Sequence, residues 1–90
     1  MQKIKLTDSE KSILRELIFP ESIDHLLTET GLSFGAIRDD LITLVNLGFV
    51  EVYEDRNRNR VTPFYDSDQL GDFFYKATKR GLKSIQNYAI

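Results

Sequence analysis

The chain contains no cysteine. That excludes disulfides, thiol catalysis and thiolate metal sites, and it fits a reducing compartment. The single histidine, His25, leaves imidazole-based metal and triad chemistry without partners. There is no glycine-rich phosphate loop, no nucleophile elbow and no HExxH pair. An enzyme is therefore not expected, nor is a cofactor or a metal. Long apolar runs are missing too. Leu41 to Val50 is the most apolar stretch, and Thr43, Asn46 and Gly48 interrupt it. It falls well short of the ~20 residues a bilayer-crossing helix requires. Met1 to Thr7 lacks the apolar region of a signal peptide. The expectation is a cytoplasmic protein with no membrane attachment.

A global excess of positive charge is also absent. Lysine and arginine number 12 against 14 acidic residues, for a net charge of −2. Nucleic-acid binding would have to come from a local patch. The charges are unevenly spread, however. From Phe73 to Ile90 stand Lys76, Lys79, Arg80 and Lys83 with no acid, which makes a positive end. Hydrophobic residues make up 41% of the 90 positions, enough to fill one small core and one domain.

Periodicity divides the chain. Thr7-Asp-Ser-Glu10 is a capping box, and Ile13, Leu14, Leu17 and Ile18 form one apolar helical face. The predicted first helix covers 8–18 and ends before Pro20. A short second helix, 22–29, starts at Ser22, turns Ile23, Leu26 and Leu27 inward, and stops at Gly31. The third, 34–47, starts after Ser33 and buries Ile37, Leu41, Leu44 and Val45, with Gly48 as its stop. Two helices joined by a short glycine-containing turn make the helix-turn-helix pattern. The period then changes to 2. Strands are predicted at 49–54 and 72–77, separated by a long polar connection. A last helix, 79–89, is capped by Thr78 and carries Leu82, Ile85, Tyr88 and Ala89 on one side. Lys79 and Arg80 fall in its first turn, where the helix dipole disfavours cations, a local conflict that suggests service to a partner or a helix that starts a residue or two later. The result is a mostly helical α+β domain: a three-helix core, a β-hairpin wing with a long loop, and a C-terminal helix.

That order is the winged helix-turn-helix. Ser33-Phe-Gly-Ala-Ile-Arg-Asp-Asp-Leu41 resembles the recognition-helix opening S-x-x-T-I-R-R-D-L of DeoR-type bacterial regulators. Leu41 to Val50 resembles the L-x-x-L-x-x-x-G-[LFY]-[IV] run that enters the wing in such proteins. Tyr75-Lys-Ala-Thr-Lys-Arg-Gly81 is similar to the y-x-l-T-x-x-G segment by which MarR- and PadR-type regulators leave the wing. The resemblance covers nearly the whole chain and implies a DNA-binding transcription regulator, with Ser33 and Arg38 at the matched positions of the recognition helix.

The candidate DNA-binding residues are Ser33, Phe34, Gly35 and Arg38 on the third helix and Arg56, Arg58 and Arg60 on the wing. Arg38 suits a bidentate contact to guanine, and Gly35 permits close approach of backbone to DNA. Ser33 and the amides of the first turn suit a phosphate. The three wing arginines alternate with asparagine, so an extended chain points them one way about 6.6 Å apart. One such domain reads few base pairs, so a homodimer is expected. Leu82, Ile85, Tyr88 and Ala89 are the candidate dimer face, or else they close the core over the first helix. Asp39 stands where the DeoR-type pattern has a second arginine, and phosphates repel a carboxylate. Phe34, Arg38 and Ile42 lie four residues apart on one stripe. Either Phe34 staples the turn and Ile42 packs under the wing, or Phe34 and Ile42 form an apolar strip for a protein partner. The second option defines the alternative function, a protein-interaction module without DNA binding. His25 reads as a solvated side chain. Asp66 to Asp72 faintly matches the first half of a calcium loop but lacks the fifth ligand and the closing glutamate, so no metal is expected there.

Overall fold

The computed structural model describes residues 5–54 and 73–86. The elements run α1 (Asp8–Arg15), α2 (Ile23–Thr30), α3 (Phe34–Asn46), β1 (Val50–Tyr53), β2 (Phe74–Ala77) and α4 (Lys79–Gln86). Arg56, Arg58 and Arg60 with the connection that carries them, and Tyr88 and Ala89, lie outside the described residues.

Helix α1 opens on the predicted capping box. The Thr7 hydroxyl accepts from the Glu10 amide at 3.1 Å, and the Glu10 carboxylate accepts from the Thr7 amide at 2.8 Å. Ile13 and Leu14 are fully buried. The helix stops at Arg15, short of residue 18 and well before Pro20. The amides of Glu16 and Leu17 turn to the carbonyls three residues back, Ile13 and Leu14, each at 3.1 Å. Leu17 stays in the core, and its carbonyl accepts from Ala77 of β2 at 2.8 Å. This tertiary bond draws the chain off the helix axis. Ile18, predicted to face inward, is consequently 52% exposed, and Phe19 is 71% exposed.

Helix α2 begins where the Ser22 hydroxyl accepts from the His25 amide, and ends at Gly31 in the left-handed region at φ 72°. Three residues later α3 starts, with the Ser33 hydroxyl accepting from the Ala36 amide at 3.2 Å. Ile37, Leu41 and Leu44 are fully buried. Helix α1 packs on α3 and α4, and α2 packs on α3. Leu27 and Val45, both predicted inward, are half-buried at the margin of this core.

The exit from α3 explains why the first strand starts later than predicted. The Phe49 amide donates to Leu44 at 2.9 Å and the Gly48 amide to Val45 at 3.0 Å, with Gly48 at φ 78°. That is the Schellman pattern. Phe49 is thus committed to closing the helix, and β1 begins one residue on. Strands β1 and β2 pair antiparallel, Val50 opposite Ala77 and Val52 opposite Tyr75. Those four side chains are buried, as the period of 2 requires. On its other edge, β2 exchanges two backbone bonds of 2.9 Å between Tyr75 and Glu21.

The start of α4 locks to the end of α3. The Thr78 hydroxyl donates to the Gly48 carbonyl at 2.8 Å and accepts from the Gly81 amide at 3.0 Å. The Thr78 amide donates to the Phe49 carbonyl at 2.9 Å. A Cβ on Gly81 would lie 2.2 Å from that same Phe49 carbonyl oxygen and 3.2 Å from Leu14 Cδ2. This close approach gives a physical reason for glycine in the T-x-x-G segment. Gly81→Ala is expected to destabilise the domain by about 1–3 kcal/mol, as overpacking does, although alanine is ordinarily the better helix former. Urea denaturation checks this, and a midpoint at or above that of the parent contradicts the close approach.

Candidate nucleic-acid interface

Helix α3 has 13 residues, a rod of about 20 Å. With Ile37, Leu41 and Leu44 inward, the outer side carries exposed Asp39, Thr43 and Asn46 and half-buried Gly35, Arg38 and Ile42, while exposed Ser33 and Phe34 stand at the N-terminal end. The predicted Ser33, Phe34, Gly35 and Arg38 are therefore brought together at the N-terminal end of one helix. As a cap, Ser33 uses an oxygen lone pair and retains its O–H as a donor. A Cβ built on Gly35 meets no atom within 4 Å. The backbone there is bare on its outer side, and a ligand can approach it closely.

Arg38 and Asp39 form a pair that spacing alone did not reveal. Arg38 Nε donates to Asp39 Oδ1 at 3.2 Å, with side chains 42% and 70% exposed. Adjacent helical residues diverge by about 100°, but the length of arginine spans the gap. Asp39 thus orients Arg38 through the Nε edge and leaves the terminal nitrogens for an incoming acceptor. An ion pair this exposed is worth about 0–1 kcal/mol, so a stronger acceptor displaces it readily.

Asp40 turns the other way. The Ser9 hydroxyl donates to Asp40 Oδ2 at 2.6 Å and ties α3 to the first turn of α1. Burial raises the Asp40 carboxyl above its ordinary range, the Ser9 bond opposes that shift, and the charges of Glu10 and Asp39 add to it. Only Asp39 of the adjacent acidic pair therefore stands on the outer side of α3. Phe34 is 45% exposed, which departs from a stapled ring, while Ile42 is half-buried.

Elsewhere the structure corrects one expectation. His25 is not simply solvated: Nε2 lies 3.1 Å from Glu16 Oε1, and Nδ1 lies 3.7 Å from Glu21 Oε1. The i, i+4 spacing of Glu21 and His25 was the available signal. The ring bridges the end of α1 to α2 and makes a structural clamp. Tyr53 donates to Glu51 at 3.2 Å, and burial, followed by the Glu51 charge, raises its phenol. Leu82 and Ile85 are half-buried against the chain's own core. Among the described residues no group of three or more His, Asp or Glu side chains is arranged to hold a metal ion. No helix among them is long and apolar enough to cross a membrane.

No protein-family model matches the chain, and no curated protein matches its sequence. Among solved structures, two mutants of Lactococcus lactis ZitR are similar in fold. One aligns with TM-score 0.70 over 97% of this chain at 17% identity, the other with TM-score 0.71 over 99%, also at 17% identity. The fold is a winged helix-turn-helix. In that winged helix, α2 and α3 are the helix-turn-helix, and β1 and β2 form the root of the wing. The chain spans 53% and 54% of the two ZitR chains, about half their length.

The raised Asp40 carboxyl has a consequence for stability. The folded chain takes up this proton more readily than the unfolded chain, so the group favours folding at acid pH. That contribution is lost as pH rises through the folded pKa. Asp40→Asn retains an oxygen for Ser9 and removes the loss. Its stability relative to the parent is expected to rise between about pH 3 and pH 7. Urea midpoints at the two ends check this, and a relative stability that falls over the interval contradicts it.

Proposed function

We propose that the chain is a sequence-specific DNA-binding transcription regulator of the cytoplasm, similar in its motifs to DeoR- and MarR/PadR-type proteins. Helix α3 enters the major groove, and Arg38 reads a base through its terminal nitrogens. Ser33 and the open backbone at Gly35 approach the phosphates, with Phe34 at the same end of the helix. Arg56, Arg58 and Arg60 follow the flanking backbone. The working unit is a homodimer, with Leu82, Ile85, Tyr88 and Ala89 as its face. No cofactor is assigned and no enzymatic step is involved. One observation carries the reading: at the leading end of α3, Ser33 and Phe34 are exposed, the Gly35 backbone is open and the Arg38 side chain is 42% exposed. A helix held by one buried stripe with its leading turn exposed is the geometry that helix-turn-helix proteins present to DNA. The shared fold with ZitR supports it.

Exposed Phe34 and the net charge of −2 favour a second reading, a winged-helix module that binds another protein through Phe34 and Ile42. Mobility shift against a genomic fragment pool at about 50 mM salt separates the two, since even non-specific DNA binding registers there. Selection of bound sequences from random duplexes then defines the site. Arg38→Ala is expected to relax preference at one base position, a loss of about 1–3 kcal/mol of discrimination. An unchanged selected consensus removes Arg38 from direct readout. Replacing Arg56, Arg58 and Arg60 by glutamine is expected to reduce the log–log salt slope by about 0.9 for each phosphate no longer neutralised. A slope equal to that of the parent places the wing off the backbone.

A further inference from the structure

Helix α4 has a cationic outer face. At about 100° per residue, Lys79, Arg80 and Lys83 occupy one contiguous arc, opposite the side on which Gly81, Leu82 and Ile85 meet the core. All three cations are exposed, and with Leu82 they line an open groove. Among the described residues no carboxylate pairs with any of them. The Arg80 guanidinium lies over the Phe49 ring, 5.5 Å from its centroid, which anchors it against the body of the domain.

Lys83 falls in the last turn, where the dipole favours a cation, but the start of the helix is unfavourable. Lys79 and Arg80 occupy the first turn, where the helix dipole opposes positive charge. Lys79 and Lys83 are like charges at i, i+4. A dense anion relieves both conflicts. Two copies meeting through this face would set like charges against each other, which argues against a self-contact here. At i, i+4 the Cβ atoms of Lys79 and Lys83 lie ~6 Å apart along the face, so both long side chains can reach successive phosphates on one nucleic-acid strand. The face is also rigidly placed. Thr78 bonds the start of α4 to Gly48 at the C-terminal end of α3. One helix length, about 20 Å, therefore separates it from Ser33.

We infer that Lys79, Arg80 and Lys83 form a second phosphate-binding face, which grips the backbone of the same DNA duplex that α3 reads. The inference rests on the reading of α3 as a DNA-reading helix. It adds a grip remote from the leading turn, so that the domain holds the duplex at two fixed points.

The test is titration of the full chain into a fluorescently labelled mixed-sequence DNA duplex between about 50 and 200 mM salt. The double variant Lys79→Gln/Lys83→Gln changes only exposed side chains, and its circular dichroism should match that of the parent. Its log–log salt slope is expected to be shallower by about 1.8, or about 0.9 per phosphate. Arg15→Gln, which removes an exposed cation from α1, is expected to leave the slope unchanged. A parent that binds while the double variant keeps the parental slope overturns the inference and leaves the reading of α3 standing. An equal reduction of slope in Arg15→Gln also overturns it, because the effect then belongs to net charge. A parent that binds no duplex at the lowest salt removes the reading of α3, and this inference with it.

Discussion

The architecture turns on one joint, where Thr78 meets the Gly48–Phe49 corner. Its hydroxyl donates to the Gly48 carbonyl just beyond α3 and accepts from the first turn of α4. Its amide holds the Phe49 carbonyl, while the Phe49 amide closes α3 onto Leu44. The end of α3, the residue that precedes β1 and the start of α4 are thereby fixed within a few ångströms. Gly81 lets the backbones touch where any side chain would hold them apart. The orientation of α3 relative to β1 and α4 follows from this joint.

The electrostatics of that surface are peripheral. Helix α3 itself carries Arg38 paired with Asp39, which leaves its middle close to neutral. Asp40 is withdrawn toward α1 by Ser9. Beyond α3, clusters of positive charge stand on α4 and in the sequence around Arg58. If α3 reads DNA as proposed, affinity drawn from the margins and discrimination drawn from a near-neutral centre are separable quantities in a protein with more acids than bases. Long-range attraction depends on salt, whereas the short-range contacts of α3 do so much less.

Much of the fold was legible because its signals are local. The Thr7–Glu10 box, the Ser22 and Ser33 caps and the glycine stops at Gly31 and Gly48 each act within a single turn. What escaped was decided by partners distant in sequence. Leu17 and Glu21 leave the helical path to bond β2, which pushes Ile18 outward against its helical spacing. Phe49 looks like a strand residue by composition, yet its amide belongs to the helix it follows. At the candidate site, Ser33, Gly35 and Arg38 fell where the helical period put them. The reach of Arg38 to its neighbour, and of Ser9 to Asp40, depends on side-chain torsions and inter-helix packing that periodicity does not encode.

The paired hydrogen bonds between Tyr75 and Glu21 bear on colloidal behaviour. A hairpin strand normally offers its outward amides as a template for further cross-β growth. In β2 the two amides directed away from β1, those of Tyr75 and Ala77, are consumed by Glu21 and Leu17. The root of the wing is thus sealed along that flank by the chain's own connecting turn, so another molecule cannot zip onto it without first unpicking the helical core.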